Sequence, residues 1–176
     1  ESAMRLARLR GQSAPTLCTM LNNMHACEAR LRSLWSDTSR GWRRAIGSGG
    51  QLSDSALDKS LWMLRRQAAD MTEYIATWLI YYVLREEITD GLYVTSAREP
   101  PQQMLDLLPT LSERSAELVR LVEPERAPEI AAQVLKASLG AFERVLLEGG
   151  SRRFSEADGD ALSDDLQSLL DLFGLN

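Results

Sequence analysis

The sequence predicts an all-α chain, an elongated bundle of five or six stacked antiparallel helices. Three observations predict it. Apolar residues recur every three or four positions over most of the 176 residues. The 11 glycines and 6 prolines gather at a few places that divide the chain into helix-length pieces. No segment combines strict apolar–polar alternation with the β-branched enrichment of a strand. At 44% hydrophobic and 26% charged, the composition is that of a globular chain able to build a core.

The elements follow in order. Residues 1–10 read as a short basic helix or the end of an upstream element, so 1–12 are set apart from a bundle over 13–176. Ser13 and Pro15 suit a helix start. Leu17, Leu21, Met24, Leu31, Leu34 and Trp35 then keep helical spacing, with an interruption expected over 36–41 before a last piece to Ile46. Residues 47–50 form a Gly-rich loop. Ser53 is the expected cap of the longest helix, which covers most of 53–90 without glycine or proline. Such a helix of ~38 residues would be ~57 Å long. After the connector 91–101, Leu105, Leu108, Leu111, Leu118 and Leu121 mark the inward face of the next helix, with Pro109 inside it. Pro124 and Pro128 open another, striped by Ile130, Val134, Leu135, Ala137, Leu139, Phe142, Val145, Leu146 and Leu147. Gly149 and Gly150 stop it. Ser155, with Asp158 three residues on, is the expected cap of a last helix carrying Leu162, Leu166, Leu169, Leu170, Leu172 and Phe173. No period of 20–50 residues signals a repeat array.

Charge and length exclude several functions. The net charge of −5 disfavours nucleic-acid binding, which needs a basic face. Residues 1–48 are the exception, with eight arginines against Glu1, Glu28 and Asp37, a net of +5. That start reads as a solvated helix face, or as a patch for acidic lipid or an acidic partner. The most apolar run, residues 75–84, is half the ~20 residues that a membrane span requires. No signal-peptide pattern opens the sequence. Cys18 and Cys27 stand nine residues apart, on opposite faces of one helix, and cannot pair there. Reduced thiols fit a cytoplasmic chain, peripheral to membranes at most.

Catalytic chemistry finds little to use. His25 is the single histidine, and it stands two turns from Cys18, too far to share a zinc. Asp158, Asp160, Asp164 and Asp165 lack the spacing of a calcium loop and read as an acidic first helical turn. Gly149 and Gly150 with Arg152 and Arg153 lack the phosphate-loop pattern. The two arginines are candidates for contact with an acidic partner or lipid. Glu86 and Glu87 point apart and form no acid–base pair. No catalytic residue, cofactor or metal site is expected, and the chain reads as no enzyme. One segment stands out: Trp78, Leu79, Ile80, Tyr81, Tyr82 and Val83 occupy every side of a helix and form a candidate interface. Its partner is the rest of the same chain or another protein.

Three stretches carry a family resemblance. The first is the run from Leu17 and Cys18 through Leu21, Asn22 and Asn23. The second is Asp90, Gly91, Leu92 and Tyr93. The third runs from Ala137, Ser138 and Leu139 through Phe142 to Val145, Leu146, Leu147, then Gly149, Gly150, Arg152, Arg153 and Phe154, continued by Asp164, Asp165, Leu166 and Leu169. Together, over about residues 13–173, they resemble the MUN or Munc-homology domain family, closest to its plant and algal branch, with 13–176 similar to the C-terminal half of such a region. The resemblance implies stacked helical bundles like those of exocyst-type tethers. It also implies a non-enzymatic interaction module in vesicle tethering or priming. The implied partners are SNAREs, tethers or assembly subunits, and the remainder of its own chain. A structural rod in a large permanent assembly is the alternative.

Overall fold

The structure, a computed structural model, describes residues 11–46, 54–88, 91–93, 100–148, 154 and 156–175, without the side chains of 100–103 and 157. No strand occurs among them. The α-helices are α1 (Ala14–Ile46), α2 (Ser55–Trp78), α3 (Arg85–Ile88), α4 (Pro100–Leu121), α5 (Ala127–Glu148) and α6 (Gly159–Leu172). A π-helical turn, Leu79–Val83, joins α2 to α3, and short 3-10 turns precede α5 and α6. The all-α expectation holds. The basic start 1–10, the 47–50 loop, the Ser53 and Ser155 caps and the 149–153 turn lie outside the described residues. The chain divides into two compact units, Glu1–Thr72 and Glu73–Asn176.

In the first unit, Ser13 caps α1. Its carbonyl accepts from the Leu17 N–H at 3.0 Å, and its hydroxyl contacts that of Thr16 at 3.1 Å. Leu17, Cys18 and Leu21 are fully buried, as is Ala68 on α2. Two polar contacts tie α1 to α2. The Trp35 indole donates to Asp54 at 2.8 Å. Glu28, itself buried, receives Arg65 at 2.9 Å and Arg32 at 2.6 Å on one oxygen. Both guanidinium groups are about half exposed, so screening keeps each pair's contribution small.

α1, with 33 residues, is the longest helix. The interruption expected over 36–41 is absent. Gly41 costs a helix only ~1 kcal/mol, and no proline intervenes. Arg40 and Asp37 pair one turn apart at 2.5 Å, and Arg43 bonds back to the Ser39 carbonyl at 3.3 Å.

The single helix expected over 53–90 is corrected by the π turn. The Leu84 N–H bonds to the Leu79 carbonyl, five residues back, at 2.9 Å, and Leu84 leaves helical geometry at φ −99°, ψ 23°. The extra residue shifts the buried face. Ile75, Ala76, Leu79 and Ile80 are buried, and an unbroken helix would next bury Val83 and Glu87. Leu84 and Ile88 are buried instead, and Glu87 is exposed. The turn spares a carboxylate from burial. It packs against α5.

α4 packs on α5 and α6. Its inward face agrees with the expected one at Leu111 and Leu118 and departs from it at the two ends: Met104 and Leu107 are buried while Leu105 is exposed and Leu108 half-buried, and Val122, just past the helix, is buried where Leu121 is half-buried. Both sets satisfy a 3.6-residue period, so periodicity alone does not choose between them. On α5, Ile130, Val134, Ala141, Phe142 and Val145 are buried with Ser138, Leu146 is half-buried, and Leu147 faces solvent. Ser138 satisfies its hydroxyl on the Val134 carbonyl at 2.8 Å.

Two substitutions test this packing. Phe142→Ala should cost ~3–5 kcal/mol, the range for emptying a buried aromatic site. A Cβ on Gly91 would lie 2.4 Å from the Glu86 carbonyl oxygen, so Gly91→Ala should cost ~1–3 kcal/mol. Urea unfolding reads both; a loss below ~1 kcal/mol for Phe142→Ala would mean that its face of α5 is misassigned.

Candidate functional site

The apolar segment 78–83 is divided by its own geometry. Leu79 and Ile80 are 2% and 0% exposed, so they are core and not interface, a correction to the six-residue surface. Trp78, Tyr81 and Val83 are half-buried, and Tyr82 is 53% exposed. The Trp78 indole N–H is shielded from solvent and has no hydrogen-bond partner among the described residues. Leaving such a donor unsatisfied costs ~1–3 kcal/mol. Burial pushes the Tyr74 phenol above its ordinary range, and neighbouring Tyr82 adds to the rise.

Beside this segment runs a groove of about 170 Å³. Glu73, Thr77 and Tyr81 form one wall at i, i+4, i+8 spacing, and Gln133, Lys136, Ala137 and Gly140 on α5 form the other. Lys136 bridges to Glu73 at 3.1 Å across it, with both groups well exposed. A Cβ on Gly140 would sit in ordinary contact with the Tyr81 hydroxyl, at 3.5 Å. Burial is the main cause that raises the Tyr81 phenol; Arg144 pulls it down, and Glu143 and Glu148 push it up. The lining supplies hydrogen-bond donors and acceptors from Glu73, Thr77, Tyr81, Gln133 and Lys136.

A second cluster was missed in the sequence. Tyr93 is 3% exposed and sits at φ 61°, the left-handed region. Its hydroxyl donates a hydrogen bond to the Asp165 carboxylate, itself only 4% exposed. The Tyr93 ring meets Phe142 edge-on at 6.3 Å and Phe154 at 5.4 Å. Asp165 is therefore no part of an acidic first turn; it is the seventh residue of α6 and faces inward. The available signal was its register, three after Leu162 and four before Leu169, on the apolar stripe.

The remaining candidates do not assemble. Arg152 and Arg153 lie outside the described residues. His25 is half-buried, Cys18 buried and Cys27 exposed. No group of three His, Cys, Asp or Glu residues that could hold a metal occurs among the described residues. No helix is long and apolar enough to cross a membrane among those residues.

The Asp165 carboxyl lies above the usual carboxylate range. Burial is the main cause and the Asp164 charge adds to it, while the Tyr93 hydrogen bond works in the opposite direction. The folded chain therefore holds this proton to a higher pH than the unfolded chain. Its contribution to stability is fully present below the unfolded carboxylate pKa and is lost as pH rises through the folded value. Asp165→Asn keeps an acceptor for Tyr93 and removes the titration. Relative to the unsubstituted chain, its stability should rise as the pH increases above the ordinary carboxylate range, read as urea midpoints. Parallel profiles for the two proteins would refute this.

No solved structure matches the chain. It is 24% identical to a Protein unc-13 homolog of Arabidopsis thaliana over 174 residues, covering 89% of this chain and 15% of that relative. The PATROL1-like family, described as TPR repeats, matches residues 5–176. A TPR unit of ~34 residues is a pair of short helices; α4 and α5 also follow one another across a short connection, but each has 22 residues. With 172 of its 176 residues covered, the chain belongs to the PATROL1-like family.

Proposed function

We propose that this chain is a non-enzymatic helical interaction module of a vesicle-tethering or vesicle-priming protein, working in the cytoplasm and at most peripheral to membranes. Its likeness to an unc-13 homolog and the residues shared with Munc-homology regions support the trafficking assignment. The observation that carries an interaction role is the Trp78–Tyr82 surface. Tyr82, 53% exposed, stands on a π turn that packs against α5, one turn from half-buried Trp78. π turns interrupt helices frequently at functional positions. A partner that offers apolar surface to the Tyr82 ring and a hydrogen-bonding group to its hydroxyl would engage both ends of that side chain. SNAREs, tethers and assembly subunits are the partner classes, together with further parts of the same chain.

The test uses Tyr82→Arg in the intact protein. Tyr82 is half exposed, so the substitution should change stability by no more than ~0.5 kcal/mol. Delivery of vesicle cargo to the target membrane should fall while the protein's level and thermal midpoint hold. Normal delivery would sink the trafficking role of this surface. Unchanged delivery together with release from a fixed, stoichiometric complex would favour the structural-rod reading instead.

A further inference from the structure

We infer that α1 carries a coiled-coil seam that pairs with α1 of a second copy of this chain, the two helices running antiparallel. The seam lies in the first unit and does not depend on the reading of the Trp78–Tyr82 surface.

Met20, Met24, Cys27, Leu31, Leu34 and Thr38 follow one another at alternating steps of four and three, and Gly41 and Ala45 continue the series. That is the heptad spacing of a coiled-coil seam, kept for more than three heptads. At ~100° and ~1.5 Å per residue, the eight positions share an arc of about 100° and a length of about 38 Å. α2 does not cover them. Glu28 and Trp35, which bond to Arg65 of α2 and to Asp54 just before it, stand about 80° further round the helix. Met20 is 38% exposed and Leu34 47%. Cys27, Thr38, Gly41 and Ala45 are also exposed, and Met24 and Leu31 are half-buried.

Charge selects the partner and the register. Asn23, Arg30, Asp37 and Arg44 flank the seam on the side away from α2. In an antiparallel pair, setting Leu31 against Leu34 of the second copy brings Arg30 of each helix beside Asp37 of the other. Two opposite-charge pairs result, related by a two-fold axis. The same register sets Cys27 against Thr38, Met24 against Gly41 and Met20 against Ala45, so in the outer layers large side chains meet small ones. Sliding one helix by a heptad in one direction opposes Arg30 to Arg30. Sliding it in the other opposes Asp37 to Asp37 and Arg30 to Arg44. A parallel pair places Arg30 beside Trp35, on the side that α2 occupies. A uniformly acidic partner would attract Arg30 and repel Asp37; a second copy carries the complement of both. Asp37 already pairs with Arg40 on its own helix, and Glu28 shows one carboxylate of α1 taking two arginines.

Sedimentation of the 176-residue chain tests the inference. At about 100 µM the chain should be a dimer that dissociates on dilution. Leu34→Lys puts a charge in each of the two central layers and should weaken dimerisation at least about ten-fold. Arg30→Glu and Asp37→Arg each turn both opposite-charge pairs into like-charge pairs and should weaken it about ten-fold. An equimolar mixture of those two variants restores both pairs, so it should dimerise as the unsubstituted chain does. All three positions are exposed, so helix content by circular dichroism should hold in every variant. A chain that is monomeric at that concentration, dimers that the substitutions leave intact, or a mixture no tighter than either variant alone overturns the inference.

Discussion

The second unit is organised around one buried contact, the Tyr93 hydroxyl on the Asp165 carboxylate. A carboxylate and a phenol in an apolar interior are each costly unless they satisfy one another. Their bond joins a loop that follows α3 to the middle of α6, 72 residues later. Phe142 from α5 and Phe154 from the α5–α6 connection both meet the tyrosine ring edge-on. To reach that position, the backbone accepts a left-handed conformation at Tyr93, which costs ~1–3 kcal/mol and persists only because the surroundings over-determine it. Gly91 is part of the same device. It passes so close to the Glu86 and Glu87 carbonyls that no side chain fits. Leu92, between the two, is buried and bonds back to the Ile88 carbonyl at 3.2 Å.

The π turn prepares this arrangement. Without the added residue, the face that buries Ile75, Leu79 and Ile80 would continue through Glu87, and Ile88 would turn toward solvent. With it, Leu84, Ile88 and Leu92 fall four residues apart on one buried line that leads directly to Tyr93. Tyr82, within the turn, stays half exposed.

Much of this fold was legible in the sequence, and the failures have identifiable physics. Helix positions follow from apolar period and proline placement, as Ser13 and Pro15 illustrate at the start of α1. Helix phase is harder to read. On α4, Leu105 and Met104 both fit the period, and only the neighbours α5 and α6 decide which is buried. A lone Gly41 reads as a break, yet its cost is smaller than the gain from continuing an already long helix. Asp165 was grouped with its acidic neighbours because charge is read along the chain, whereas burial is read around the helix. The π turn leaves almost no sequence signal, since Val83 and Leu84 are equally apolar and the choice between them depends on Glu87 and Ile88 further on.

The residues that carry the family resemblance explain what that resemblance can say. Leu17, Cys18 and Leu21 from the first stretch are fully buried. Leu92 and Tyr93 from the second are buried, as are Ser138, Ala141, Phe142 and Val145 from the third and Asp165 and Leu169 from its continuation. Shared interior residues report a shared scaffold, because they fix helix packing and the Tyr93 contact. Partner choice is made by surface chemistry. Tyr82, with Arg30, Leu34 and Asp37, lies on the surface and belongs to none of the three stretches. The likeness therefore bears on architecture more strongly than on partners.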